Sequence, residues 1–364
     1  MGTVTPSRVA LHAAHVPRCP GRVFRGPYRT FDRGECRIGA SVDEIQAWGQ
    51  RVCASVAQVL VEADQAVQLC LVGILAHGHV LFEDVPGVGK TRLAQAIAAC
   101  LGAPFQRVQF TPDVLPSDLT GTNVFMPATG DFRFHAGPIF AAVVLADEIN
   151  RAAPRTQSAL LEAMEERQVT VDGVSRPLPS PFLVLATQNP IELEGTFPLP
   201  EAQLDRFLLR ITLGYPSLDG ERDMLRRVGR RQSAPDMLAR LQPVPLPDGG
   251  IAALAERVRD VHVTDDVADY LLRLVRATRA SSDIRLGASP RAAVAWYGAA
   301  QAHAALAGRD HVVPDDVKAL GQALLSHRLV LTTEAQLHGT SSQAVAAAIL
   351  AQEPVPVEEG AGGA

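Results

Sequence analysis

The segment Asp84-Val85-Pro86-Gly87-Val88-Gly89-Lys90-Thr91 has the residue types and spacing that handle phosphate. Glycines let a backbone curl closely enough for its N–H groups to surround phosphate oxygens, and the N-terminus of a following helix adds partial positive charge. A lysine at this position reaches the outer phosphates of a nucleotide, and the hydroxyl after it ligates Mg²⁺. Against the pattern G-x-x-x-x-G-K-[ST] there is one departure: Asp84 stands where the first glycine is expected, and Pro86-Gly87 sets the turn instead. The candidate phosphate-contacting set is therefore Asp84, Val85, Pro86, Gly87, Val88, Gly89, Lys90, Thr91 and Arg92.

Two apolar runs end in groups suited to the same chemistry. Ala141 to Ala146 runs into Asp147-Glu148. A strand apolar on both faces belongs in a parallel sheet, and ligands bind at the carboxyl end of such a sheet. Asp147 suits Mg²⁺ through water, and Glu148 suits orienting and deprotonating an attacking water. Acidic residues end many strands, but a pair roughly fifty residues after a phosphate loop fits phosphoryl transfer. Phe182 to Ala186 ends in Thr187-Gln188-Asn189, uncharged groups suited to reading a γ-phosphate or placing water. His77 and His79 sit at a helix-to-strand joint and read as structural histidines, not a metal pair.

These groups need a scaffold, and the chain supplies one in order. Ser41 to Glu44 has the form of a capping box, and Ile45, Val52, Val56, Val59 and Leu60 continue at helical spacing. Ala66 to Ala76 is a second apolar helix, His79 to Phe82 a strand, and Arg92 to Leu101 a helix stopped by Gly102. Phe105 to Phe110 alternates as a strand does. Residues Thr111 to Gly137, rich in Pro and Gly and without clear period, are expected to form a functional insertion or mobile loop. Pro154 opens a helix through Glu166, and Gln168 to Arg176 carries Asp172-Gly173 between alternating arms, a hairpin signal. Leu204-Asp205-Arg206-Phe207 precedes a strand over Leu208 to Leu213. From Ser217 apolar residues recur at helical spacing, and Ser289-Pro290-Arg291 opens one helix with a cap, a proline and an arginine against the dipole. A residue placed against local preference is a candidate functional one. The domains expected are a basic extension over 1–40, an α/β nucleotide-binding domain over 41–215, a helical domain over 216–345 and an acidic, disordered tail over 346–364.

The bulk numbers agree. With 364 residues, 47% hydrophobic and 20% charged, the chain can bury a sizeable core. A net charge of −5 gives no reason to expect nucleic acid. Five scattered cysteines without a C-x-x-C pair read as reduced thiols. No apolar run approaches the roughly 20 residues that span a bilayer, so no membrane partner and a cytoplasmic protein are expected.

Phosphate loop, Asp147-Glu148, Asn189, Asp205-Arg206-Phe207 and Gly287-Ala288-Ser289-Pro290-Arg291, in that order, resemble an AAA+ ATPase. Gly78-His79-Val80-Leu81, Asp147-Glu148-Ile149-Asn150-Arg151-Ala152, Ala163-Met164-Glu165-Glu166 and Thr187-Gln188-Asn189-Pro190 are similar to the MoxR branch of that family. The resemblance covers roughly 42–335 and implies an α/β P-loop NTPase with a parallel sheet flanked by helices, followed by a small all-α lid. It implies ATP and Mg²⁺ as ligands, Lys90 and Thr91 in the Walker A roles, and Asp147 and Glu148 in the Walker B roles. Asn189 matches sensor 1. Arg206 matches the arginine finger that reaches a neighbour's γ-phosphate, and Arg291 matches sensor 2, contacting nucleotide within its own subunit. Catalysis would then rest on Glu148, Lys90, Arg206 and Asn189. The Thr111–Gly137 stretch corresponds to the helix-2 insert and the Asp172-Gly173 hairpin to the pre-sensor-1 hairpin, both facing the pore of a homo-oligomeric, hexameric ring. The implied role is chaperone-like remodelling of client proteins, among them von Willebrand factor A-domain proteins. The departures are Asp84 and Glu62-Ala63, where relatives carry Gly-Gln. A magnesium-chelatase-like or nucleic-acid-directed motor, and a regulatory switch with little hydrolysis, share part of the pattern. Arg176 is the one base of the second hairpin, which speaks against tracking on nucleic acid.

Overall fold

The computed structural model describes residues 42–189, 195–230 and 233–356, all within one compact unit. The basic segment 1–40, the capping Ser41 and Pro190 lie outside the described residues.

Helix α1 (Val42–Ala57) buries Ile45, Trp48, Val52 and Val56, and α2 (Asp64–Leu75) buries Val67, Leu71 and Ile74. Val59 and Leu60 are buried too, but in the turn between these helices. There the chain tightens, Val59 N–H donating to Val56 O, and reverses at Glu62, whose φ is 53°. Strand β1 (Val80–Glu83) leads through the glycine-rich turn into α3 (Lys90–Leu101), and β2 (Phe105–Gln109) follows.

The stretch Thr111 to Gly137, expected to be a functional insertion or mobile loop, carries regular structure. It forms α4 (Pro116–Thr120) and a hairpin of β3 (Gly121–Met126) and β4 (Asp131–Ala136). At the hairpin base the backbones close so tightly that a Cβ on Gly121 (φ 85°) would lie 2.2 Å from His135 O. Phe132 and Phe134 alternate with Asp131, Arg133 and His135 along β4, a period-2 signal masked by the surrounding Pro and Gly.

Next come β5 (Val143–Asp147), α5 (Pro154–Glu166), the second hairpin of β6 (Gln168–Val171) and β7 (Val174–Pro177), β8 (Leu183–Gln188), α6 (Glu201–Leu204) and β9 (Leu209–Ile211). Strands β2-β5-β8-β1-β9, in that order, form one parallel sheet. Because strand side chains alternate, successive residues serve different cores. Val80, Phe82, Val143, Leu145, Leu183 and Leu185 face α1–α3, while Leu81, Val144, Ala146, Val184 and Ala186 face Leu160, Leu161 and Met164 of α5. The register pairs Glu83 with Gln188 and Ala146 with Ala186, so Asp84, Asp147 and Asn189 emerge along the same carboxyl edge.

The remaining chain is mostly helical: α7 (Leu218–Gly229), α8 (Ala234–Arg240), α9 (Gly250–Val258), α10 (Asp265–Ala280), β10 (Ile284–Leu286), α11 (Pro290–Leu306), α12 (Pro314–Leu325), β11 (Val330–Leu331), α13 (Thr333–Leu337) and α14 (Ser342–Gln352). Ser289 caps α11 as its sequence suggests, accepting from Ala292 N–H at 3.2 Å. One boundary needs correction. Helix α14 runs past 345, burying Val345, Ala346 and Ile349, so a disordered tail cannot begin at 346. Trp296, Leu320 and Leu324 of the helical region also share one apolar cluster with Trp48 of α1 and Leu71 of α2. The lid is therefore docked on the helices behind the sheet, continuous with the core.

Candidate active site

Gly87 and Gly89 adopt φ of 88° and 100°, which side chains disfavour, and nothing lies within 4 Å of where a Gly87 Cβ would be. Helix α3 starts without a side-chain cap, leaving the N–H groups of its first turn available to an anion. Lys90 Nζ folds back onto the loop, donating to Asp84 O at 2.8 Å and Val85 O at 3.1 Å. Partial burial lowers its pKa, opposed by the charges of Asp84, Asp147 and Glu148.

Asp84 is buried and turned away from the cradle. Its Oδ2 accepts from Leu213 N–H at 2.7 Å and Gly214 N–H at 2.8 Å, and its Oδ1 from Val85 N–H at 2.8 Å. Its side chain is thus a clip between the loop and the exit of β9, so of the candidate phosphate-contacting set it is the member whose side chain is engaged elsewhere.

At the end of β5, Asp147 Oδ1 accepts from Thr187 Oγ1 at 2.6 Å. Its Oδ2 accepts from Arg107 Nε at 3.0 Å and Nη2 at 2.6 Å. Glu148 has φ 58°, so the chain turns at once and its side chain is not thrown to the opposite face of the sheet. Its N–H donates to Thr187 Oγ1 at 2.8 Å, and its Oε2 accepts from Gln109 Nε2 at 2.8 Å and Arg151 Nη1 at 3.0 Å. A cavity of about 370 Å³ brings together Gly87, Lys90, Thr91, Asp147, Glu148 and Asn189, with Arg92, Arg107 and Thr187 also on its wall. Sequence reading missed Arg107 and Gln109. Their signal is two polar residues at i, i+2 near the carboxyl end of β2, on one face of an otherwise unremarked strand.

A second cavity of about 540 Å³ shares Pro86, Gly87, Gly89 and Arg92 with the first and is walled by Leu60, Val61, Tyr215, Met224, Val228 and Met237. Its largely apolar wall suits an apolar ring beside a phosphate chain. The departure at Glu62 belongs to this side. The Glu62 carboxylate accepts from Ser217 N–H at 2.7 Å and from its Oγ, contacts that lower its pKa and pin the start of α7.

Arg206 and Arg291 line neither cavity. Both pair with one carboxylate at the end of α5: Arg206 Nε with Glu165 at 3.2 Å, and Arg291 Nη1 with Glu165 at 3.0 Å. A common base holds them. Asp205 accepts from buried Arg328 Nε at 2.7 Å and from Ser289 Oγ at 2.9 Å, linking the residue before Arg206 to the cap before Arg291. The resemblance implies that Arg291 contacts nucleotide in its own subunit, whereas in this structure it faces Glu165 outside both cavities. The lid docks on α1 and α2, so the start of α11 points to α5 and not over the loop.

His79 is buried, with Nδ1 accepting from Val184 N–H at 3.0 Å and Nε2 3.2 Å from Met164 O; burial lowers its pKa to about 3. No group of three or more potential metal ligands occurs among the described residues, and no helix there is long and apolar enough to cross a membrane. The two hairpins are joined: Asn123 Nδ2 donates to Asp172 Oδ2 at 2.5 Å, and Arg176 lies 3.9 Å above the Phe134 ring. Val124, Phe125 and Phe132 near the first tip are exposed.

Comparison with known proteins agrees with this geometry. The description "ATPase family associated with various cellular activities (AAA)" matches residues 79–209, and "AAA lid domain" matches residues 276–349. The chain is 42% identical to Chaperone MoxR1 of Mycobacterium tuberculosis, over 84% of this chain and 82% of that protein. It is 47% identical to the uncharacterized protein YeaC of Bacillus subtilis, over 84% and 93%. It is 34% identical to Protein MoxR of Paracoccus denitrificans, over 74% and 84%. A crystal structure from Cytophaga hutchinsonii, of a protein provisionally named an ATPase, superposes with a TM-score of 0.79 at 36% identity, covering 87% of this chain and 97% of that one. The chain belongs to the MoxR family of AAA+ ATPases.

Proposed function

We propose that this chain binds ATP with Mg²⁺ at the phosphate loop, hydrolyses it within a ring of identical subunits, and uses the cycle to remodel client proteins. The observation that carries the reading is a division of groups. Lys90, Thr91, Asp147, Glu148 and Asn189 converge on one cavity, while Arg206 and Arg291 sit together outside it.

The residues fit the ligands. The open space at Gly87 and the uncapped α3 N-terminus suit phosphate oxygens, and the apolar cavity suits the base. The Thr91 hydroxyl and Asp147, the latter through water, would hold Mg²⁺. When bound, that ion neutralises charge on the outer phosphates and aligns them for in-line displacement. Lys90 exchanges two loop carbonyls for phosphate oxygens. Glu148 accepts a proton from the attacking water, which Asn189 helps to place. Arg206 and Arg291 would both serve the site of the next subunit, since one rigid base carries them. A finger supplied in this way is worth roughly 10³–10⁵ in rate. The exposed Phe125 and Phe132 give the joined hairpins an apolar tip, which suits a polypeptide better than a phosphate backbone. A ring of six, a von Willebrand factor A-domain client and a cytoplasmic setting complete the reading.

The test is ATPase rate against protein concentration, for wild type and for equimolar mixtures of Lys90→Ala with Arg206→Ala and of Lys90→Ala with Arg291→Ala. If sites are shared between neighbours in a ring, each mixture recovers about a quarter of the wild-type rate, the chance that an intact lysine meets an intact arginine. No recovery, or full wild-type activity in dilute monomer, sinks the shared-site reading.

A further inference from the structure

Arg107 belongs to no motif of the sequence, yet its guanidinium is the group that meets Asp147. In the β2–β5 register Arg107 lies beside Leu145, and Gln109 lies beside Asp147. The arginine side chain therefore leans two residues along the strand to put Nε and Nη2 on Asp147 Oδ2, at 3.0 and 2.6 Å. Oδ1 accepts from Thr187 Oγ1 at 2.6 Å.

We propose that Arg107 is a stand-in cation, occupying the side of Asp147 where hydrated Mg²⁺ belongs and leaving when the metal arrives with nucleotide. This rests on the reading above that Asp147 faces the metal. Three observations converge on it. First, Asp147 is nearly buried, and a carboxylate there needs a compensating positive charge whether or not nucleotide is bound. Second, Arg107 lines the same cavity as Lys90 and Thr91, so it competes for that space and is not a remote buttress. Third, it is able to leave. Strand β2 is the edge of the sheet, and the Arg107 side chain is 47% exposed, so a swing outward meets solvent.

Both cations cannot use Oδ2 at once. The hydration shell of Mg²⁺ and a bidentate guanidinium need the same lone pairs, and two positive groups a few ångströms apart repel. The same side chain reaches further, since Arg107 Nη2 donates to Gln109 Oε1 at 2.9 Å and Gln109 Nε2 holds Glu148. Departure of Arg107 therefore loosens the grip on the proton acceptor as it frees the metal position. Arg107 is thus a positioning residue that acts through Asp147.

The test measures the affinity of the full chain for a fluorescent, non-hydrolysable ATP analogue, once in EDTA and once in excess Mg²⁺. If Asp147 is latched in most free molecules, Arg107→Gln removes that fraction and tightens Mg²⁺-dependent binding by about three- to tenfold. In EDTA the same variant binds no tighter than wild type. Arg107→Lys keeps a cation but loses the fork, so it shows a smaller gain in the same direction. Its fold is the less disturbed of the two, which keeps the test open should Arg107→Gln melt early. Affinity in Mg²⁺ that is unchanged or weakened in both variants overturns the stand-in. Failure of wild type itself to bind the analogue with Mg²⁺ overturns the nucleotide-site reading along with it.

Discussion

Restoring the glycine that the phosphate-loop pattern asks for is expected to damage this protein. The perturbation is Asp84→Gly. Asp84 is 6% exposed, and its carboxylate accepts three N–H bonds, two of them from Leu213 and Gly214 at the exit of β9. Removing it leaves those donors facing a small void, and the new glycine adds backbone freedom to the unfolded chain. A net bond to a buried charged acceptor is worth about 1.5–3 kcal/mol before water re-enters, and the glycine costs about 0.5–1 kcal/mol. With partial hydration of the gap the loss comes to roughly 2–4 kcal/mol. For a chain of 364 residues that is a drop of roughly 3–5 °C in Tm. Nucleotide affinity should fall as well, because Lys90 is held by the carbonyls of Asp84 and Val85, at the clipped end of the loop. The assays are thermal and urea unfolding with nucleotide titration alongside, with Asp84→Asn as the milder variant that keeps one acceptor. If Asp84→Gly unfolds with wild type and binds nucleotide equally well, the clip contributes nothing and Asp84 is a neutral departure from the motif.

Arg328 is 6% exposed and pairs with Asp205 while donating to Leu208 O, so Asp205→Ala should leave an uncompensated buried guanidinium and cost about 3–5 kcal/mol in denaturant unfolding. A loss below about 1 kcal/mol would mean that water reaches Arg328 readily. Burial also pushes His79 down to about 3 and His327 well below its ordinary value, so both fold neutral. The stability they allow is present in full above about pH 6.5 and falls as the unfolded chain takes up protons below it, towards pH 3 for His79. Within that window His79 gives a slope approaching about 1.4 kcal/mol per pH unit, and His327 adds to it in the same direction. His79→Gln should remove the His79 share of the slope, measured as urea midpoints across the range; an unchanged slope would show that His79 charges in the folded state.

What the sequence made legible depended on where the information lies. Strands β5 and β8 announce themselves because each apolar run stops abruptly at polar groups, Asp147-Glu148 and Thr187 to Asn189. The β6–β7 hairpin is marked by Asp172-Gly173, whose positive φ values few residue pairs accept. The β3–β4 hairpin carries an equal alternation over Phe132 and Phe134, but its turn is built from Pro127 to Gly130, which equally describes a loop. Helix α14 is not marked in the sequence because Ala346 to Ala348 shows no polar face, and without one a helical period has nothing to mark. Lys90, Thr91, Asp147, Glu148 and Asn189 were readable because each sits at a turn or the end of a strand. Arg107 and Glu165 were not. Their meaning lies in partners 40 and 126 residues away, Asp147 and Arg291, and no local pattern carries that.

The two clips bracket one short segment. Asp205 fastens its start to the lid through Arg328 and Ser289, and Asp84 fastens its end to the phosphate loop through Leu213 and Gly214. Between them Arg210 of β9 pairs with Glu83, the residue before Asp84, and donates to Ser326 of the lid at 3.1 Å. Arg210 is mostly buried and β9 is hydrogen-bonded to β1 along its length, so the segment is a strut and not a tether. Close-packed interiors pass displacement on in preference to absorbing it. A movement of the phosphate loop at Asp84 thus has no slack stretch in which to die away before it reaches Arg206. The glycine-rich loop and Arg206 thus stand at two ends of one closely bonded segment.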